Sequence, residues 1–109
     1  LIPTDGVLVV EVRSSRIDAA SANDLLDSLA PSLDGGDKRI LLDLEAVEFL
    51  DSTGLGVLVK LHKRLQPDGE LALCNIADTI MSLMKLTRLH RVFTLAENRA
   101  EGIASLNQG

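Results

Sequence analysis

Apolar positions along the chain change period repeatedly, from the short continuous runs of strands to the three- and four-residue spacing of helices. After Gly6, the run Val7-Leu8-Val9-Val10-Glu11-Val12 is rich in β-branched residues and predicts a strand. Beyond it, Asp18 and Ser21 both suit a helix N-cap, and Leu25, Leu26 and Leu29 supply the stripe of the helix they open. Pro31 and the loop Asp34-Gly35-Gly36-Asp37 are expected to end that helix. Residues 39–44 are nearly continuous in apolar side chains, as in a strand covered on both faces. A helix is predicted from Ser52 to about Leu65, closed by Pro67-Asp68-Gly69. Residues 71–74 read as the next strand, and residues 77–85 return to helical spacing through Ile80, Leu83 and Met84. A short strand over 92–94 and a last helix over 97–106 complete the pattern. Strands alternating with helices predict an α/β fold: a four- or five-stranded mixed, mostly parallel sheet packed with about four helices. No internal repeat, low-complexity tract or linker interrupts it, so residues 1–109 read as one domain.

The helix that opens at the serine carries the most information. At about 100° per residue, Gly54, Leu58, Leu61 and Leu65 fall on one side, flanked by Leu55 and Val57, and that side must meet the sheet. Ser52, Gly56, Lys60 and Lys63 point the other way, with Val59 at the edge. Two glycines this early in a helix cost roughly 1 kcal/mol each against alanine and need a reason. For Gly54 the reason is either close packing against a neighbouring strand or function; for Gly56, on the outward side, it is a surface left flat for a partner. Asp51-Ser52 is an ordinary pair for capping the helix. It is equally a place where a phosphoryl group would meet free backbone N–H groups and the helix dipole, adding roughly −1.5 to −2 charges beside Asp51. Lys60, Lys63 and Arg64 lie in the last turns, where cations complement the dipole.

Composition narrows the chemistry. The net charge of −5 argues against a nucleic-acid backbone as partner, and two Phe with no Trp or Tyr leave little for base stacking. No run approaches the roughly 20 apolar residues of a membrane span, and no secretory pattern opens the chain. The lone Cys74 has no internal disulfide partner and reads as a small core residue of a protein from a reducing, cytoplasmic compartment. Since the first residue is Leu1 and not methionine, part of the native N-terminus is expected to be missing.

A nucleophilic serine needs a base in reach. His62 is ten residues along the same helix, roughly 15 Å away, and Leu50 stands where a nucleophile elbow has glycine. Gly54-x-Gly56 begins a dinucleotide fingerprint, but Val59 takes the third glycine's place, and there is no Gly-Lys-Ser/Thr phosphate loop. Any nucleotide used to modify Ser52 is therefore held by another protein. Two scattered histidines and one cysteine give no metal-ligand spacing. The expectation is a protein without enzymatic activity, metal or cofactor of its own.

With these residues in view, the chain resembles the STAS domain, named for sulfate transporters and anti-sigma factor antagonists, and most of all the small free-standing antagonists of bacteria. The resemblance rests on residues 39–44, on Asp51-Ser52-Thr53-Gly54-Leu55-Gly56, on Leu73-Cys74-Asn75, and on Met84-Lys85-Leu86-Thr87-Arg88-Leu89 followed by Val92-Phe93 as third helix and last strand. It covers nearly the whole chain.

The resemblance implies a partner switch in transcription regulation. The unphosphorylated antagonist binds an anti-sigma factor that is also a serine kinase; the kinase, holding the ATP, phosphorylates the antagonist's serine and ends the complex; a serine phosphatase restores it. Ser52 falls at the phosphoacceptor position, Asp51 precedes it, Asp18 matches the acid that opens the first helix, and Thr53 is a weaker acceptor. The expected partner-binding set is Asp18, Asp51, Ser52, Thr53, Gly54, Gly56 and Val59, in a monomer or weak dimer with no direct membrane binding. A constitutive STAS module of a lipid-transport or stress-sensing complex is the alternative. Two departures are expected to matter: Ser15 replaces the family's usual glycine three residues before Asp18, and the strand often found ahead of Val7 should be mostly absent, residues 1–5 being all that precede it.

Overall fold

A computed structural model describes the backbone of residues 2–4 and residues 6–36 and 38–107. Leu1, Asp5 and Asp37 of the expectations above lie outside the described residues. The chain runs β1 (Ile2–Thr4), β2 (Val7–Glu11), β3 (Arg16–Ile17), α1 (Ala22–Asp34), β4 (Arg39–Asp43), β5 (Phe49–Leu50), α2 (Ser52–Leu65), β6 (Glu70–Cys74), α3 (Asp78–Leu86), a 3-10 turn (Leu89–Arg91), β7 (Thr94–Ala96) and α4 (Arg99–Asn107). The main sheet has the order β1-β2-β4-β6-β7, antiparallel between β1 and β2 and parallel elsewhere. The mixed, mostly parallel α/β architecture expected from the sequence is what forms. The strand thought to be mostly absent ahead of Val7 is present over Ile2–Thr4, paired as Ile2 with Val9 and Thr4 with Val7.

Continuous apolar strands are explained by what lies on either face. Leu8, Val10, Ile40, Leu42, Leu71 and Leu73 point into a cluster shared with α1, α2 and α3. Val7, Val9, Leu41, Ala72 and Cys74 point the other way, onto Leu106 and Ile103 of α4. Burial pushes the Cys74 thiol up to about 11, as befits an inert core residue.

Three boundaries differ from the sequence pattern. Pro31 lies inside α1 instead of ending it. Its ring is exposed, as is Asp27, so the carbonyl freed by the missing N–H faces water, while Leu33 beyond it gains contact with the core. Val92-Phe93 is not strand: Phe93 is buried, but it follows the 3-10 turn with its N–H bonded back to the Leu89 carbonyl at 3.2 Å, and β7 starts one residue later. Finally, α4 begins at Arg99, because the Asn98 side chain accepts the Glu101 N–H at 2.9 Å and caps it there.

A polar clamp ties the two layers together. Asp43, at the end of β4 and only 3% exposed, accepts hydrogen bonds from the Glu45 N–H (3.0 Å), the Asn75 amide (3.0 Å) and Arg99 Nε (2.6 Å). Arg99 also reaches Glu11 at 2.8 Å, so one guanidinium joins the ends of β2 and β4 to the first turn of α4. Burial alone would raise the Asp43 pKa; the hydrogen bonds from Asn75, Arg99 and Glu45 outweigh it and hold the carboxyl below its ordinary value.

The second helix packs against the small parallel sheet of β3 and β5. A methyl group at Gly54 would sit 2.2 Å from the Ile17 carbonyl oxygen and 2.6 Å from Leu50 Cδ1, whereas one at Gly56 would meet nothing within 4 Å. Close packing therefore accounts for Gly54, and an open outer surface surrounds Gly56.

These contacts make two predictions. Gly54→Ala should destabilise the fold by about 3 kcal/mol, because a backbone carbonyl cannot step aside, while Gly56→Ala should stabilise it by up to about 1 kcal/mol through helix propensity; urea titrations would measure both. A carboxyl with a depressed folded pKa contributes stability that is present above its unfolded pKa, near 3.9, and lost as pH falls through the folded value. Asp43→Asn should therefore cost about 2 kcal/mol at neutral pH, since Arg99 keeps some access to water. Its stability should also fall less steeply than the wild type's below about pH 4.

Candidate functional site

The pairing of β3 with β5 builds the site. Arg16 lies opposite Phe49 and Ile17 opposite Leu50, and the Asp51 N–H continues the ladder to the Ile17 carbonyl at 3.4 Å. The chain segments bearing Asp18 and Asp51 thus leave neighbouring strand ends in the same direction. Ser15 takes part as well: its carbonyl accepts the N–H groups of Glu48 and Phe49 at 2.8 and 3.1 Å, with no left-handed backbone at the residue where the family's usual glycine is replaced.

At the start of α2 the two candidate caps divide. Asp51 has extended backbone, and its Oδ1 accepts the Gly54 N–H at 2.8 Å, so it is the N-cap. Ser52 is the first helical residue, exposed, and its hydroxyl has no hydrogen-bond partner among the described residues. Thr53 beside it is also exposed. Gly54 is buried, Gly56 is open to the outside, and Val59, half-buried, lies one turn further along.

At the head of α1 the sequence offered Asp18 and Ser21 as caps, and the structure uses them differently. Ser21 holds the cap position, but its hydroxyl turns back to donate to the Arg16 carbonyl at 3.0 Å and accept the Asp18 N–H at 3.1 Å. Asp18 Oδ1 accepts the N–H groups of Ala20 and Ser21, and its Oδ2 takes Arg16 Nε at 3.0 Å. The Arg16 hydrogen bond, aided by these N–H groups against partial burial, holds the Asp18 carboxyl below its ordinary pKa. The acid beside the serine's segment is therefore ionised and fixed in place.

Other residues weighed from the sequence lie elsewhere. His62 sets its ring edge-on against Phe93 with centroids 5.8 Å apart, and His90 Nδ1 faces the Met84 carbonyl at 3.4 Å. Among the described residues no cluster of three or more His, Cys, Asp or Glu could hold a metal ion, and no helix is long and apolar enough to cross a membrane. Arg64 reaches Asp34 on α1 at 3.2 Å, which gives it a structural partner beyond the helix dipole. The contact of Arg16 with Phe49, the residue at the head of the apolar segment that leads into Asp51-Ser52, has no signal in the sequence: the Arg16 guanidinium lies 4.2 Å from the centre of the Phe49 ring. Nor has the Asp43–Arg99 clamp, whose members are 56 residues apart.

Comparison with known proteins agrees with this architecture. The family model described as the STAS domain matches residues 2–102. A protein of Bordetella bronchiseptica named as an anti-sigma factor antagonist, BtrV, is 29% identical over 102 residues, spanning 93% of this chain and 87% of that protein. The anti-sigma-B factor antagonist of Staphylococcus aureus is 36% identical over 74 residues, 67% of this chain and 68% of its own length. The crystal structure of an anti-sigma factor antagonist from Mycobacterium paratuberculosis, 27% identical, superposes with a TM-score of 0.86 over 95% of this chain and 88% of that one. With a five-stranded sheet of this order, an acid-capped serine helix and a family match over almost all of its length, the chain belongs to the STAS domain family.

Proposed function

We propose that this chain is an anti-sigma factor antagonist of a partner-switching pathway, and that Ser52 is its phosphoacceptor. In the unphosphorylated state it binds an anti-sigma factor that is also a serine kinase, through Asp18, Asp51, Ser52, Thr53, Gly54, Gly56 and Val59. The kinase supplies ATP and phosphorylates Ser52, which ends the complex; a serine phosphatase reverses the modification. On this reading the chain is a single cytoplasmic STAS domain, a monomer or weak dimer, and binds its partners without a cofactor or a catalytic step of its own.

The observation that carries the reading is the division of labour at the start of α2. Asp51 makes the cap hydrogen bond that would otherwise occupy a serine, and leaves the Ser52 hydroxyl exposed at the positive end of a 14-residue helix. The relatives named anti-sigma factor antagonist support the output. A phosphoryl group there adds roughly −1.5 to −2 charges next to Asp51 on the face a partner would cover. The scaffold beneath stays as it is, because Gly54 fixes the helix start against Ile17.

Incubation with ATP and a serine kinase encoded beside the gene, followed by intact-mass measurement and peptide mapping, tests the assignment. The wild type should gain one phosphoryl group at Ser52 and Ser52→Ala none. A wild type that gains nothing, or a Ser52→Ala chain modified at the same rate, sinks the reading. Ser52→Asp should bind the kinase about tenfold more weakly or worse, with stability within about 0.5 kcal/mol of wild type.

A further inference from the structure

Two side chains at this site lie outside the acid–serine motif. Phe49 is 42% exposed on the outer face of β5, since Leu50 takes the inward position. The Arg16 guanidinium covers its ring, and Arg16 is itself held at several points: Nε by Asp18, and its carbonyl by the hydroxyls of Ser14 and Ser21. The Ser14 and Ser21 bonds fix the backbone at Arg16, while Asp18 and the Phe49 ring orient its side chain, so the guanidinium loses less rotamer freedom on binding than an unheld one. The hydrogen bond to Asp18 employs Nε, which leaves the terminal N–H groups of the fork to a second carboxylate. The same chain holds a precedent in Arg99, whose guanidinium joins Asp43 and Glu11 at 2.6 and 2.8 Å. Beside Arg16 opens a groove of about 440 Å³ between β2 and α1, with an apolar floor that includes Val10, Val12 and Leu25 and a charged rim of Glu11, Arg13 and Asp24.

We infer that the Arg16–Phe49 ledge and this groove form the specificity anchor of the partner interface: the kinase sets an apolar side chain against Phe49 and into the groove, and a carboxylate on Arg16. This rests on the function proposed above and adds which residues choose the partner. Aromatic and arginine side chains in the middle of an interface carry a disproportionate share of its affinity. A partner lacking the acid would cover Arg16 without pairing its free N–H groups, a penalty that rejects it. Leu86 is more exposed, at 83%, but sits at the far end of α3, away from the serine, and serves as a control.

The test measures dissociation constants by calorimetry for the kinase that phosphorylates Ser52, in a Ser52→Ala background so that docking is separated from phosphoryl transfer. Phe49→Ala and Arg16→Glu should each weaken binding by roughly 30-fold, Arg16→Lys less, and Leu86→Ala by no more than about twofold. Thermal melts check that each variant folds, with Phe49→Leu standing in for Phe49→Ala where the latter does not. Replacing the facing acid of the kinase by lysine should restore binding to Arg16→Glu. Binding unchanged by both Phe49→Ala and Arg16→Glu overturns the inference while leaving the phosphorylation reading intact. A kinase that neither binds nor modifies the wild type overturns that reading, and the anchor with it.

Discussion

The close approach of α2 to the backbone of β3 is the constraint on which the site depends. Only a residue without a side chain lets the first turn of α2 rest on the Ile17 carbonyl. That contact, together with the two-residue pairing of β3 and β5, fixes three things at once. It sets where α2 begins, and so which hydroxyl stands outside the cap. It brings the Asp18 turn alongside Asp51. It also makes Arg16 and Phe49 neighbours although they are 33 positions apart in the chain. Two short strands of this kind would have no stability alone; they persist because Ile17 and Leu50 are buried in the same cluster as Leu58 and Leu61 of α2.

The main sheet supplies the rigid background for that arrangement. Its central strands bury both faces, with helices α1–α3 on one side and α4 on the other. The α4 side is the smaller cluster, and there the polar clamp of Asp43, Asn75, Arg99 and Glu11 complements the apolar contacts. A nearly inaccessible aspartate is tolerable only because each of its oxygens has a donor. The clamp sits at the carboxyl ends of the strands, the end from which α2 and α3 also start, so it steadies the frame that carries the serine helix.

Much of this was legible in the sequence, for identifiable reasons. Helix α2 was legible from Ser52 to about Leu65, because its stripe of Gly54, Leu58, Leu61 and Leu65 has a single period and is bounded by an acid–serine pair and a proline turn. The central strands were legible because both faces are apolar. What failed to show was whatever depends on tertiary contact. Phe93 looks like strand because it is apolar, but the bend that follows the 3-10 turn buries it equally well. Pro31 looks like a terminator, yet on an exposed face water can serve the carbonyl it orphans. Of the site, Asp51, Ser52 and the glycines were visible as a contiguous motif, although the choice between Asp51 and Ser52 as the cap was not. Arg16 and Phe49 carried no local signal, since nothing in either segment announces that the other will lie beside it. The same holds for Asp43 and Arg99.

The physical logic of the proposed switch follows from the difference between a free and a covered helix start. In the free chain a phosphoryl group on Ser52 meets unsatisfied N–H groups and the positive end of the dipole, a favourable contact of roughly 0.3–1 kcal/mol at a surface. Repulsion from Asp51 offsets part of that, so the modified chain keeps its fold with little net change. Under a partner the same dianion must lose its water, and the penalty for taking an ion out of water is several kcal/mol unless a matching cation is built to receive it. Moving a population from almost all bound to almost all free takes about 5.5 kcal/mol, which is within that penalty. A switch of this design needs no bistable element within the antagonist. It needs a hydroxyl that does no structural work, and the Asp51 cap provides one by making the hydrogen bond to Gly54 itself.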